Sequence, residues 1–253
     1  KFGGTSVADF EAMLRCAHII KNDTRNRLIV VSASAGVTNF LVRLSQENIS
    51  ATEQKDIINN IRAIQFNITQ HFSSDIETSL NKEINRLLDE LSQHALTQSL
   101  QHSAKNSDAI LAYGEQCSSR IFAQVLQSID VAGEYFNVQQ VMKTNSVHGK
   151  AIVDIKQLSD NCAQLLAPKL VNKVIVTQGF IGQDNFGNTT TLGRGGSDYS
   201  AALFAEAVDA YQVRDDKNNL INPKSRKSNA GMREFVDAGV SGAVKMIHAL
   251  DST

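Results

Sequence analysis

Proline occurs only twice in the 253 residues, and neither a low-complexity tract nor an internal repeat is present, which excludes a rigid linker and a solenoid array. Cysteine is scarce as well. Cys16, Cys117 and Cys162 are odd in number and far apart, which argues against a disulfide framework or a cysteine zinc site and points to reduced thiols. The six histidines are scattered without ligand spacing, so no transition metal is expected. No apolar run approaches the roughly 20 residues that cross a bilayer, and the beginning lacks the charged, apolar and cleavage regions of a signal peptide. The expectation is a soluble, cytoplasmic protein with no membrane partner. Charge of one sign is also missing. With 25 basic against 26 acidic side chains the net charge is -1, so no long-range field draws in nucleic acid, and a small-molecule partner is the default.

What is present is apolar content of 42%, enough to bury a substantial core in one large α/β domain or two small ones. Between Ala8 and Asp23 apolar residues recur near a 3.6 period, and Leu28 to Val31 follows as a short β-branched run, predicting a helix that leads into a buried strand. The small residues Ser32 to Gly36 then open a second helix carrying Phe40, Leu41 and Leu44. Between Ser50 and Ser103 the pattern is helical throughout, with Ile57, Ile61, Ile64 and Ile68 on one stripe and Ile76, Leu80, Ile84, Leu87 and Leu91 on another, which predicts a helical hairpin or subdomain over 50–107. Further on, the pattern predicts a helix over Asp108–Ile129, a strand over Tyr135–Val138, a helix around Ile155–Leu170, a strand over Val174–Thr177 and a helix over Ser197–Ala210. Gln178 to Gly182 leads into a polar turn region through Asn188. Strands alternating with helices imply a mainly parallel sheet covered on both faces, with ligands at the carboxyl ends of its strands.

Two glycine-bearing loops could take an anion. Lys1-Phe2-Gly3-Gly4-Thr5-Ser6 places a cation beside two backbone N–H groups that can turn together; a plain turn explains the glycines equally well. Thr189 to Asp198 gathers three glycines, Arg194, hydroxyls and a carboxylate at a helix start, where the dipole and free N–H groups favour an anion. A cap by Ser197 or Asp198 is the simpler alternative, but a cap requires neither Arg194 nor three threonines. Glu115 shares a helix face with Leu111, Ser118 and Phe122, so its carboxylate needs a partner, for which a structural Lys or Arg is the plainer explanation. The Ser32–Asn39 loop reads as a helix cap or as contacts to a polar substrate. Walker, protein-kinase, dinucleotide and nucleophile-elbow motifs are all absent.

Taken together and in order, Lys1 to Val7, Val31 to Asn39, Gly114-Glu115, Thr177 to Gly182 and Thr190 to Asp198 resemble the aspartokinases, most nearly their bacterial lysine-sensitive class. The resemblance runs from about Lys1 to Val213 and implies the amino-acid kinase fold, an α/β architecture with an open, mainly parallel sheet sandwiched by helices. It implies ATP-dependent phosphorylation of the L-aspartate side-chain carboxylate, with ATP and Mg2+ as cofactors, no direct protein ligand to the metal, and a homodimer. Carried over by position, Lys1 bridges the phosphates and Gly3, Gly4, Gly195 and Gly196 offer backbone N–H groups to them. Ser32 and Thr38 line the aspartate pocket with Ser197, Glu115 takes the substrate ammonium, Arg194 forks onto the α-carboxylate, and Asp198 orients Lys1 and the reacting groups. Such a reaction needs no general base, because the nucleophilic carboxylate is already ionised; placement and charge neutralisation suffice.

The same resemblance treats residues 1–253 as one catalytic domain, with the hairpin of 50–107 inside it and no ACT-type regulatory domains following. Beyond Val213 the likeness thins. The adenine and ribose side of the family survives only as an echo in Asp215 and Pro223-Lys224, and Lys245 matches the family's further lysine only if a residue is inserted. Kinases of glutamate, acetylglutamate or nucleotide monophosphates are neighbouring readings, although Glu115 and Arg194 oppose a nucleotide acceptor. A weakened, inactive or truncated relative that binds aspartate without turning it over is the alternative from a different class.

Overall fold

The computed structural model describes residues 1–25, 27–210, 213–214 and 220–221. Asp215, Pro223, Lys224 and Lys245, on which the nucleotide side of the sequence reading rests, lie outside the described residues.

The first helix, α1 (Phe10–Asn22), begins where Asp9 accepts a hydrogen bond from the Ala12 N–H at 2.8 Å and buries Met13, Cys16, Ala17 and Ile20. It leads into β1 (Leu28–Val31), as the sequence predicts. The chain then turns through Gly36, whose φ of 84° suits a residue without Cβ, into α2 (Val37–Leu44). The predicted hairpin consists of α3 (Ala51–Thr69) and α4 (Ser74–Leu100). Its two stripes face inward, except that Ile64 is only half-buried and Ile76, in the first turn of α4, is exposed.

The helix expected over Asp108–Ile129 is two helices, α5 (Ala104–Leu111) and α6 (Tyr113–Ser128), meeting at Ala112. The halves have different anchors. The Asp108 side chain binds β5 (Thr189–Thr191), whereas Gly114 presses on the Ala33 and Leu41 side chains, so one straight axis cannot serve both. The strand expected over Tyr135–Val138 is β2 (Gly133–Phe136). It ends early because the Val138 N–H donates to the Gln178 side-chain oxygen at 2.8 Å instead of continuing the ladder.

The helix around Ile155–Leu170 is divided into α7 (Ile155–Asn161), a π turn at Cys162–Leu166, and α8 (Ala167–Leu170). Pro168 cannot donate the backbone hydrogen bond that an α-helix requires there, and a π turn accommodates the loss. After β3 (Val174–Gln178), the expected polar turn region is an antiparallel hairpin of β4 (Ile181–Gln183) and β5. Asp184 builds its turn by accepting from the Phe186 and Asn188 N–H groups. Next come α9 (Gly196–Ala207) and the short antiparallel pair β6 (Val213–Arg214) and β7 (Leu220–Ile221).

Strands β1, β3 and β2 form a parallel sheet in that order. Successive side chains alternate between faces. Ile29, Val31, Val174 and Val176 enter a core shared with α1, α6 and the α3–α4 hairpin, whereas Val30 and Ile175 enter a second core with Leu158, Cys162 and Phe204. Both faces are therefore covered, the α/β sandwich that the sequence implies.

Candidate active site

The carboxyl ends of β1 and β3 lie side by side, and the loops that leave them face the amino-terminal residues. Phe2 extends the sheet as a parallel bridge to Val31, with its N–H donating to the Val30 carbonyl at 2.9 Å and the Ser32 N–H donating to the Phe2 carbonyl at 3.1 Å. That pairing places Lys1, Gly3 and Gly4 at the sheet edge. A Cβ on Gly4 would stand only 3.0 Å from the Ala33 carbonyl oxygen, so the two loops touch through backbone.

On the other side, Gly179 directly follows β3. A Cβ there would lie 2.6 Å from Cβ of Ser197, so glycine lets the start of α9 approach the strand end. Gly195 precedes α9 with φ 77°, and no side chain caps the helix. Neither Ser197 nor Asp198 is a cap, which removes the simple structural reading of that loop. Asp198 instead accepts an ion pair from Lys1 Nζ at 2.8 Å. The Ser32–Asn39 loop behaves likewise: α2 starts at Gly36 without a side-chain cap, Ser32 is half-buried, and Thr38 is exposed.

Glu115 lies in the first turn of α6 and is only 6% exposed. No lysine or arginine pairs with it at ion-pair distance among the described residues, so the expected structural partner is not found. Burial pushes its pKa up to about 7, opposed by backbone hydrogen bonding from Ala33 and by the positive charge of Lys1. Three residues later, Ser118 Oγ donates to the Ser32 carbonyl at 2.7 Å and locks α6 to the loop after β1.

Thus Lys1, Gly3, Gly4, Ser32, Glu115, Ser197 and Asp198 gather around the ends of β1 and β3. Thr38, in the first turn of α2, and Arg194, on the turn before α9, are both exposed, and Arg194 forms no ion pair among the described residues. Gly195 is exposed and Gly196 is buried, the latter so close to Phe180 that a Cβ would meet its ring at 2.8 Å.

Sequence reasoning missed two polar groups here. Ser34 is 1% exposed and its Oγ has no hydrogen-bond partner, a costly arrangement for a hydroxyl. Asp108 is 1% exposed and takes hydrogen bonds from both the N–H and the hydroxyl of Thr191. The only signal for Asp108 was a carboxylate three and four residues before Leu111 and Ala112, on one helix face.

Chemically, the arrangement offers a lysine held by a carboxylate, backbone N–H groups on two glycine loops, a buried carboxyl group and an exposed guanidinium. It can hold anions at the Lys1 side and a group carrying both charges near Glu115 and Arg194.

The amino acid kinase family matches residues 1–228. The lysine-sensitive aspartokinase 3 of Escherichia coli (strain K12) is 45% identical over 213 residues, covering 84% of this chain and 47% of that protein. An aspartokinase of Chlamydia muridarum (strain MoPn / Nigg) is 31% identical over 214 residues, covering 85% of this chain and 46% of its own length. The crystal structure of E. coli aspartokinase III in complex with aspartate and ADP (R-state) superposes with a TM-score of 0.81 at 44% identity, over 85% of this chain and 47% of that one. The chain thus spans about half the length of the curated relatives it matches.

Proposed function

The chain belongs to the amino acid kinase family, and from that premise we propose that it transfers the γ-phosphoryl group of ATP to the side-chain carboxylate of L-aspartate, giving 4-phospho-L-aspartate. The observation that carries this reading is the Lys1–Asp198 ion pair at 2.8 Å, which brings the two glycine loops to one place above the sheet. Two anions must meet there. Lys1, with the N–H groups of Gly3 and Gly4, neutralises the phosphates; the close backbone approach at Gly4 fits a loop that binds through N–H groups rather than side chains.

Glu115 receives the ammonium of the amino acid. Its pKa of about 7 reflects a desolvated carboxylate, and an arriving cation favours its ionised form. Arg194, exposed and unpaired among the described residues, takes the α-carboxylate as a two-pronged donor. Ser32, Thr38 and Ser197 line the space between, and Gly195 and Gly196 present the start of α9. Asp198 holds Lys1 in place. Bound Mg2+, reached through the phosphates without a direct protein ligand, would spread the charge that develops during transfer.

The complex of the E. coli relative with aspartate and ADP supports both substrates for this chain. The same reading makes residues 1–253 one catalytic domain, with the α3–α4 hairpin inside it and residues 213–253 on the nucleotide side. It places the protein in the cytoplasm as a homodimer, at the entry to lysine, threonine and methionine synthesis.

The test is incubation with ATP, Mg2+, aspartate and hydroxylamine, which traps an acyl phosphate as its coloured hydroxamate. Glutamate and acetylglutamate run in parallel. Colour with aspartate alone is expected; no colour with any acceptor from folded protein would overturn the reading.

A further inference from the structure

Asp108 is a buried carboxylate that the proposed transfer does not use. It projects from α5, 1% exposed, into a set of donors drawn from two other segments. Thr191 Oγ1 donates to Oδ1 at 2.6 Å and the Thr191 N–H to Oδ2 at 3.2 Å. The Gly149 N–H reaches both oxygens at 3.0 Å, and His148 Nδ1 lies 2.9 Å from Oδ2. The Ala151 N–H closes the arrangement by donating to the Thr191 carbonyl at 2.8 Å.

Thr191 ends β5, and the chain runs on through Leu192 and Gly193 to Arg194. Gly193 takes φ 79°, and a Cβ there would meet the Gly149 carbonyl at 3.2 Å and Lys150 Cβ at 3.3 Å, so the turn before Arg194 rests on the segment that Asp108 holds. The clamp is itself anchored. Asn106, two residues before Asp108, donates to the His94 carbonyl at 2.7 Å and to the Gln98 side-chain oxygen at 3.1 Å on α4. Hydrogen bonds at Asn106 and Asp108, two residues apart on α5, therefore tie the helical hairpin to the end of β5, from which the chain continues to Arg194.

We propose that Asp108 is a positioning residue for Arg194: by gripping Thr191 and Gly149 it sets the path of Leu192 and Gly193, and with it the place where the guanidinium meets the carboxylate of an amino-acid substrate. The substrate's identity rests on the proposed function; the clamp does not.

Two measurements test it on the full chain as wild type, Asp108→Asn, Thr191→Val and Thr191→Ser. Hydrogen exchange reads the clamp without any ligand. The Leu192 and Gly196 amides donate to the Phe180 and Gly193 carbonyls at 2.9 and 3.0 Å and are natural reporters. A hydrogen bond to a charged group, once lost, should speed their exchange by about tenfold or more in Asp108→Asn and Thr191→Val. Thr191→Ser, which keeps the hydroxyl, should resemble wild type, and β3 should be unchanged in all. Wild-type exchange in both disabled variants overturns the clamp; Thr191→Val keeps the test alive if Asp108→Asn does not fold.

Steady-state kinetics reads the link to Arg194. The KM for aspartate should rise about tenfold in the two disabled variants, in line with one charged hydrogen bond, while the KM for ATP stays at the wild-type value; Thr191→Ser should match wild type in both constants. Faster exchange with an unaltered KM for aspartate overturns the positioning role. Wild type that turns over no acceptor strikes the proposed function instead, and the exchange result still decides the clamp.

Discussion

Lys1 Nζ stands 2.8 Å from Asp198 Oδ1, with the lysine side chain only 16% exposed and the aspartate 36% exposed. The pair joins the first residue of the chain to the first turn of α9 and holds a cation over the carboxyl ends of β1 and β3. Everything proposed about phosphoryl transfer depends on that cation being held still.

Lys1→Met keeps most of the aliphatic stem and deletes the charge. We expect kcat to fall by about 10³-fold or more, as for loss of a transition-state electrostatic partner, with aspartate binding largely retained by calorimetry. Asp198→Asn should lower kcat as well, since a neutral amide no longer holds the ammonium. Equal loss of aspartate binding in both variants would contradict a phosphate-side role.

Glu115 predicts two pH effects. Its pKa in the folded protein is about 7, above the ordinary 4.5, so binding of an ammonium group requires a deprotonation. The kcat/KM for aspartate should therefore rise with pH up to about 7 and then level, and Glu115→Gln should lower and flatten that profile. For stability the sign is opposite. The folded state holds the proton more tightly than the unfolded chain, so Glu115 contributes most below pH 4.5, and that contribution is lost as pH rises through about 7. Denaturant melts at pH 8 should find Glu115→Gln more stable than wild type by up to roughly 3 kcal/mol, with the gap closing toward pH 4.5.

Arg194→Ala should raise the KM for aspartate by about tenfold to a hundredfold, the worth of a charged hydrogen-bond pair. The KM for ATP should stay put. Arg194→Lys should recover only part of the loss, because an ammonium cannot fork onto a carboxylate. A lysine variant equal to wild type would remove the two-pronged contact.

Gly179→Ala tests the close approach of β3 to α9. The new Cβ would fall 2.6 Å from Ser197 Cβ and 2.7 Å from its Cα, so the helix start must move. Overpacking of this kind costs about 1–3 kcal/mol, and activity should fall further than stability does because Ser197 and Asp198 shift together. Chemical denaturation beside the hydroxamate assay would separate the two losses.

Much of the site was legible in advance because each of its loops is a local signal. Small residues after Val31 and after Gln178, and glycines before Ser197, mark where a strand gives way to a helix whatever the remainder of the chain does. Glu115 was legible as a carboxylate on a core-facing stripe. Among the described residues its expected lysine or arginine is not at ion-pair distance, because a ligand site can leave a buried carboxylate without a countercharge where a structural site cannot. The Ser197 and Asp198 cap was also absent: the helix begins at glycine, and Asp198 pairs with Lys1 instead.

By itself, the sequence determined the alternation of helix and strand, the inward stripes of the α3–α4 hairpin, the two-sided burial of β1 and β3, and the order of the glycine loops. These follow from periodicity and backbone chemistry within a few neighbouring residues. Only the tertiary structure decided that the helix breaks at Ala112, that Asp184 builds a hairpin, that Asp108 grips Thr191, and that Lys1 finds Asp198. Those outcomes depend on which donors the crossing chain brings within about 3 Å of an acceptor, and a hydrogen bond of that length carries no trace in the local pattern at either of its ends.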